Sequence, residues 1–396
     1  MRVHVVDPSA YTPPYDHALC SALAASGTEV ELFTSRFAYG PVAVPDGYVR
    51  RELFYRVSLG APGGRVRMAC KLAQHVPDML RYRHMARHAD VVHFQWLPVQ
   101  HLDAHLLPPA RSAGGGVWRG RAARRPPLVL TAHDVPPREP RPGQLAAQRR
   151  LYDRFDAIVV HSEHGRTRLV DELGTDGDRV HVIPHGVFTH LAERRSGAHP
   201  PAPPLPPPYE TEQPVVLCFG LMRPYKGIDV LLDAWGGTGT GEAPVRDAEL
   251  WIAGMPRMDI SALQAAAPAN VRFVPRFIGD DELPAYFERA DLVVLPYLQA
   301  DQSGVLFTAL AFGKPLLLSD VGGFPELAGT GAARVVPAGD PRALGQALRE
   351  LLNDRATLIG MCVRARAAAT GRYSWEAVGR AHLDLYRRLL QEAPRR

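Results

Sequence analysis

The stretch Cys218-Phe-Gly-Leu-Met-Arg-Pro-Tyr-Lys-Gly227 joins an apolar run to an amphipathic one, and its reading decides the fold. Pro214-Val-Val-Leu-Cys-Phe219 has the unbroken apolar character of a strand buried on both faces. Gly220 frees the turn, and Ile228-Asp-Val-Leu-Leu-Asp-Ala-Trp235 carries its apolar residues at helical spacing. Arg223 and Lys226 therefore stand at the carboxyl end of a parallel strand, where open α/β sheets bind ligands. A planar guanidinium fork beside a compact ammonium suits the oxygens of a diphosphate. A solvated surface turn would read the same way for this decapeptide alone.

Outward from that stretch, strands and helices alternate almost throughout. Upstream lie Val3–Val6, a helix over Asp16–Ala25, Val30–Thr34, the amphipathic run Val66–His88, and short apolar runs at Val91–Phe94, Leu128–Thr131, Ala157–Val160 and Val180–Ile183. Downstream lie Leu250–Ala253, Val271–Val274, Leu292–Leu295, Pro315–Ser319 and Ala333–Val336. Runs of this kind, separated by helices, give two doubly wound parallel-sheet domains. Between the halves, Pro200–Pro208 has seven prolines in nine positions and can be neither helix nor central strand. The expected division is a Rossmann-like domain at 1–190, a Pro-rich linker at 191–213, a second such domain at 214–374, and a final helix within 375–396 long enough to cross back onto the first. Arg111–Pro127, with five arginines and a Gly-Gly-Gly run, reads as a loop.

The chain has 396 residues, 46% hydrophobic and 22% charged, and no apolar run of membrane-spanning length. The four cysteines (Cys20, Cys70, Cys218 and Cys362) lack metal spacing and sit in apolar contexts, which points to the cytoplasm. The net charge of +5 resides in residues 1–193, with 24 Lys and Arg against 19 Asp and Glu. Nucleic acid is not an expected partner, because only the Arg119–Arg125 loop is strongly basic and no aromatics interleave it. A nicotinamide dehydrogenase is disfavoured: residues 7–12 read Asp-Pro-Ser-Ala-Tyr-Thr instead of Gly-x-Gly-x-x-Gly. Basic and apolar residues along Val66–His88 raise a weak peripheral contact with the inner membrane face, although Pro77 is expected to interrupt that helix and core packing would equally explain its apolar stripe.

A second signal lies in Ala300-Asp-Gln-Ser-Gly-Val-Leu-Phe-Thr-Ala-Leu-Ala-Phe-Gly-Lys-Pro315, where a helix starting at Ser303-Gly304 would offer its unpaired N–H groups to an anion. Ser319-Asp-Val-Gly-Gly-Phe-Pro-Glu326 adds a paired-glycine turn after the next strand.

With these motifs the chain resembles the GT-B glycosyltransferases, specifically the large retaining group known as family 4. The Gly-x-x-Arg-x-x-Lys-Gly turn of that group is matched by Gly220, Arg223, Lys226 and Gly227, and its Gly-Gly-x-Pro-Glu run ends at Glu326. In the first half, Val91-Val-His93, Leu130-Thr-Ala-His133-Asp134, Val159-Val-His161-Ser162 and Ile183-Pro-His-Gly-Val187 fall in the expected order. The likeness spans nearly the whole chain.

It implies an acceptor-binding first domain and a nucleotide-sugar-binding second domain around an interdomain cleft, and a hexosyltransferase that uses a UDP- or GDP-sugar, without metal or other cofactor. Arg223 and Lys226 would stabilise the leaving diphosphate, and His133 would meet the donor sugar, oriented by Asp134; a structural strand-end histidine is the alternative. Gly220, Asp301, Ser303, Gly304, Val305, Thr308 and Glu326 would line the donor. Asp16, His17, His93, Trp96 and Asp134 would line a carbohydrate, glycolipid or small-molecule acceptor, with Asp16 serving equally as a helix N-cap and Trp96 as core packing. One departure stands out. The family's Glu-x7-Glu pair falls on Ala300 and Thr308, with Asp301 one place away as the substitute; Thr308 can offer a ribose one hydroxyl bond but not the bidentate contact of a carboxylate. A GT-B phosphorylase or synthase, and a degenerate ligand-binding relative, are the alternatives to transfer.

Overall fold

The structure, a computed structural model, describes residues 1–38, 40, 42–57, 64–108, 125–133, 135, 143–193, 211–239 and 241–392. The expected loop at 111–127 therefore falls largely outside the described residues, as do most of the Pro-rich segment and Asp134.

Two compact units emerge, Met1–Pro184 with Trp375–Arg396, and His185–Ser374. The first holds a sheet of seven strands: β1 (Arg2–Asp7), β2 (Glu29–Ser35), β3 (Val49–Phe54), β4 (Val91–Phe94), β5 (Leu128–Thr131), β6 (Ala157–Val160) and β7 (Val180–Val182). Its order is β3-β2-β1-β4-β5-β6-β7, and every neighbouring pair is parallel. The second unit holds β8 (Val215–Phe219), β9 (Glu249–Ala253), β10 (Val271–Val274), β11 (Leu292–Leu295), β12 (Leu316–Ser319) and β13 (Ala333–Val336), in the order β10-β9-β8-β11-β12-β13, again all parallel. Each chain path runs outward in one direction, returns to the centre, and runs outward in the other. The crevice where it reverses lies at the carboxyl ends of β1 and β4 in one unit and of β8 and β11 in the other.

The unbroken apolar runs have a direct cause. Val215 and Leu217 of β8 enter one core, while Val216 and Cys218 enter the core on the opposite face. Val3 and Val5 likewise face one side of the first sheet and Val6 the other. Helices cover both faces, so neither parity of strand residue meets water. The last helix, Trp375–Gln391, packs Val378, Leu383, Tyr386 and Leu389 into the core that holds Tyr15, Leu19 and Leu23 of the helix Pro13–Ala25.

Several expectations are corrected. The first unit ends at Pro184 instead of 190: Val187 and Leu191 pack in the core of the second sheet. β3 was not legible, because Val49-Arg-Arg-Glu-Leu-Phe54 is a charged edge strand with only Leu53 and Phe54 buried. Pro77 does not interrupt its helix, which runs continuously over Arg65–Met85. The first helix starts at Pro13, with Thr12 in the N-cap position, so Asp16 is not its cap. Two prolines at the helix start need no N–H there, which lets the helix begin ahead of the apolar pattern.

Candidate active site

In the second unit, the turn after β8 leaves Gly220, makes a short 3-10 turn over Pro224–Lys226 and closes at Gly227 with φ of +63°. The loop after β11 lies directly against it. The Leu298 N–H donates to the Tyr225 carbonyl at 2.8 Å, and a Cβ on Gly227 would stand 2.0 Å from the Pro296 carbonyl oxygen. Only glycine fits that approach. Arg223 is exposed, and no salt bridge engages it among the described residues. Lys226 is half-buried; its Nζ lies 3.6 Å from the centre of the Tyr297 ring and 5.4 Å from that of Tyr225. The nearby Cys218 thiol is pushed up to about 12 by burial, so it stays protonated and takes no part as an anion.

Facing this turn is the start of the helix Gly304–Ala311. A Cβ on Gly220 would approach Val305 Cγ2 to 3.2 Å, which sets the turn and the helix start side by side. Ser303 holds the N-cap position with extended backbone, yet its hydroxyl does not cap the helix. It bonds instead to the Tyr297 hydroxyl at 3.1 Å. Gly304 is exposed at the helix tip. Thr308 is buried and its hydroxyl donates to the Gly304 carbonyl at 3.0 Å, so the group expected to reach a ribose is turned back onto its own helix. Asp301 is buried as well, and its carbonyl accepts the Gly323 N–H at 3.1 Å. A Cβ on Gly322 would meet the Ala300 carbonyl oxygen at 1.9 Å, so the paired-glycine turn after β12 is seated on this loop. Glu326 is half-buried within the short helix Pro325–Ala328. The structure thus brings Gly220, Arg223, Lys226, Ser303, Gly304 and Val305 to the crevice of the second sheet.

In the first unit, the ends of β4, β5 and β6 converge on His133. Its Nε2 lies 3.1 Å from Gln95 Oε1, its Nδ1 lies 3.3 Å from His161 Nε2, and the Trp96 indole stacks on it at 4.9 Å with an interplanar angle of 12°. Tyr15 meets the ring edge-on at 4.7 Å. The protons can be assigned. His161 Nδ1 lies 3.0 Å from the Ile183 carbonyl, which can only accept, so Nδ1 carries the hydrogen. Burial lowers the His161 pKa to about 4, leaving Nε2 as an acceptor at neutral pH. His133 Nδ1 therefore donates to it. Gln95 Oε1 meets the other ring nitrogen, so His133 is held between the loop after β4 and the end of β6.

The remaining acceptor-side candidates divide. Trp96 is half-buried and donates Nε1–H to Thr12 Oγ1 at 3.0 Å, joining β4 to the turn after β1. His17 Nδ1 lies 3.0 Å from the Tyr48 hydroxyl, at a pocket that Thr34, Ser35 and Arg50 also line. Asp16 is 1% exposed; burial and the adjacent Asp7 carboxyl raise its pKa well above the usual range. Burial raises the Asp7 carboxyl too, while its oxygens accept the N–H groups of Ser9, Tyr11 and Thr12. His93 belongs to no acceptor wall. It is fully buried, with Nδ1 2.6 Å from the Tyr386 hydroxyl and Nε2 2.8 Å from Thr131 Oγ1.

Residues 213–354 match the family model described as glycosyl transferases group 1, and residues 15–191 match the one described as glycosyltransferase family 4. The chain belongs to the family 4, or group 1, glycosyltransferases. It is 27% identical to a D-inositol 3-phosphate glycosyltransferase of Kineococcus radiotolerans, over 94% of this chain and 89% of that one. With the enzyme of the same description from Nocardia farcinica the identity is 29%, over 93% and 83%. Among solved structures, sucrose-phosphate synthase from Thermosynechococcus elongatus superposes with a TM-score of 0.71 at 21% identity, covering 99% of this chain and all of that one. Anabaena HepE in complex with UDP-glucose gives 0.66 at 17% identity, over 98% and 100%. These likenesses establish the GT-B fold of the glycosyltransferase.

Sequence reasoning did not single out Tyr297 or the Asp7–Asp16 pair, and it used His161 only as part of a motif. Trp96 was legible as a residue just past the end of β4. Tyr297 had a comparable signal, since it stands just past the end of β11.

Proposed function

We propose that this glycosyltransferase moves a hexose from a UDP- or GDP-sugar to a hydroxyl of a carbohydrate, glycolipid or small-molecule acceptor, with retention of anomeric configuration and without a divalent metal. The observation that carries the reading is the Arg223–Lys226 turn locked against the loop after β11, with the Gly304 helix start beside it. Cleavage of the anomeric C–O bond leaves negative charge on the diphosphate. Two cations, one of them held over the Tyr297 ring, and an uncapped helix start oppose that charge where it develops, an effect of about 2.7–4 kcal/mol for each oxyanion donor removed. Those same charges stand where a metal ion would otherwise neutralise the leaving group. HepE in complex with UDP-glucose supports a uridine donor, and the D-inositol 3-phosphate glycosyltransferases support a polyhydroxylated acceptor.

From the first unit we assign His133 to the donor sugar, with Trp96 and His17 on the acceptor side. Thr308 is given no ribose contact. The four cysteines are free, which supports the cytoplasm as the site of action. Among the described residues no helix is long and apolar enough to cross a membrane. Exposed Met68, Leu72, Val76 and Leu80, four residues apart on the Arg65–Met85 helix among Arg65, Arg67, Lys71 and Arg81, support peripheral contact with an anionic bilayer.

The test is release of UDP or GDP from a panel of sugar nucleotides, by transfer or by slow hydrolysis. Arg223→Ala and Lys226→Ala are each expected to cut turnover at least about tenfold. Near-normal rates would remove both from the mechanism. Tight nucleotide binding without turnover under any acceptor would support the degenerate ligand-binding alternative.

A further inference from the structure

We infer that Tyr297 is a positioning residue that prepares both halves of the anion site, holding Lys226 through its ring and diverting Ser303 through its hydroxyl. The inference rests on the diphosphate reading of Lys226 given above. Tyr297 follows β11 at the crevice and is 1% exposed. Lys226 Nζ stands 3.6 Å from its ring centre, well inside the range in which a ring quadrupole attracts an ammonium. Phe324, from the loop after β12, packs against the same ring at 5.3 Å, and Tyr225 meets it edge-on at 6.3 Å. The ring is therefore clamped, and what it holds is held in place.

An aromatic face suits this task better than a carboxylate would. It attracts the ammonium with a ring face that carries no countercharge, so this contact does not itself neutralise the charge that an incoming phosphate would meet. A lysine side chain loses considerable rotamer freedom when it is fixed, and the ring takes on that cost before the donor arrives. The hydroxyl does the second part. Its bond to Ser303 Oγ at 3.1 Å occupies the group that stands at the N-cap, and the Gly304–Ala311 helix has no side-chain cap. The first N–H groups of that helix are left for an anion. One buried side chain thus links the turn after β8 to the helix after β11.

The experiment is a double-mutant cycle on the full chain, read as the Kd of UDP and of GDP, taking the tighter, together with kcat and KM for the corresponding donor. Tyr297→Leu is expected to weaken nucleotide binding about 3- to 30-fold in the presence of Lys226, and by a smaller factor on a Lys226→Ala background, where only the Ser303 part of its role is left to lose. Because Tyr297→Leu risks the fold, a second comparison keeps size and shape. Phenylalanine and 3,4,5-trifluorophenylalanine at position 297 differ chiefly in the charge of the ring face, and the fluorinated ring is expected to bind nucleotide more weakly. Equal losses on both backgrounds, or no difference between the two rings, would overturn the inference while leaving the diphosphate reading intact. If Lys226→Ala alone leaves binding and turnover unchanged, the diphosphate reading falls and takes the inference with it.

Discussion

Acidification should unfasten the His133 cluster through His161, and the cost can be worked from its surroundings. His161 is 7% exposed and gives its Nδ1–H to the Ile183 carbonyl, and burial places its pKa at about 4 against an ordinary value of 6.5. The folded state therefore favours the neutral ring. Between pH 6.5 and about 4 the unfolded chain binds more protons, so stability falls as the pH drops. The contribution is fully present above about pH 6.5 and gone below about pH 4. Across the full shift it amounts to about 3 kcal/mol, and at pH 5 about 2 kcal/mol of it is already lost. His4 and His382 are also lowered to about 4, and burial holds His93 well below its ordinary value, so the wild-type curve sums several such groups. His161→Gln isolates one. Glutamine keeps a donor for Ile183 and an acceptor for His133 but does not titrate. Urea unfolding between about pH 7.5 and pH 5 should show a loss smaller by about 2 kcal/mol in the variant than in the wild type. Activity should follow: a protonated His161 presents N–H to the Nδ1–H of His133, and that contact breaks. Parallel stability curves for the two proteins, or a wild type more stable at pH 5, would refute the assignment.

Other consequences are testable in the same preparations. Gly227→Ala forces φ of +63° on a residue with a Cβ and drives that carbon into the Pro296 carbonyl, so a loss of about 2–5 kcal/mol by thermal or urea unfolding is expected. Asp16→Asn should raise stability at pH 8 and lose that advantage toward pH 4: the raised pKa means the fold holds a proton that the unfolded chain releases as pH rises, and asparagine mimics the protonated acid. Equal curves across that range would show that Asp16 ionises freely. Sedimentation with vesicles rich in anionic lipid should recover the protein and lose it at high salt, and Leu72→Asp with Leu80→Asp should abolish recovery. Binding that ignores salt and both substitutions would end the membrane reading.

What the chain determined by itself was local and periodic. Val215–Phe219, Leu292–Leu295 and their counterparts announce doubly covered parallel strands, because burial on both faces leaves no polar parity to read. Turn chemistry then set Arg223, Lys226, Ser303 and Gly304 at strand ends, since glycine and the strand-to-helix change of period are themselves sequence features. Tertiary structure decided the partners. His93 is spent on Tyr386, 293 residues away, and no local pattern distinguishes that histidine from the half-buried His133. Thr308 turns into its helix, Asp16 meets Asp7, and Tyr297 slips beneath Lys226 only once neighbouring strands have been paired. Periodicity tells which face of an element is buried, whereas the atom that meets a given polar group depends on the register between segments far apart in the chain.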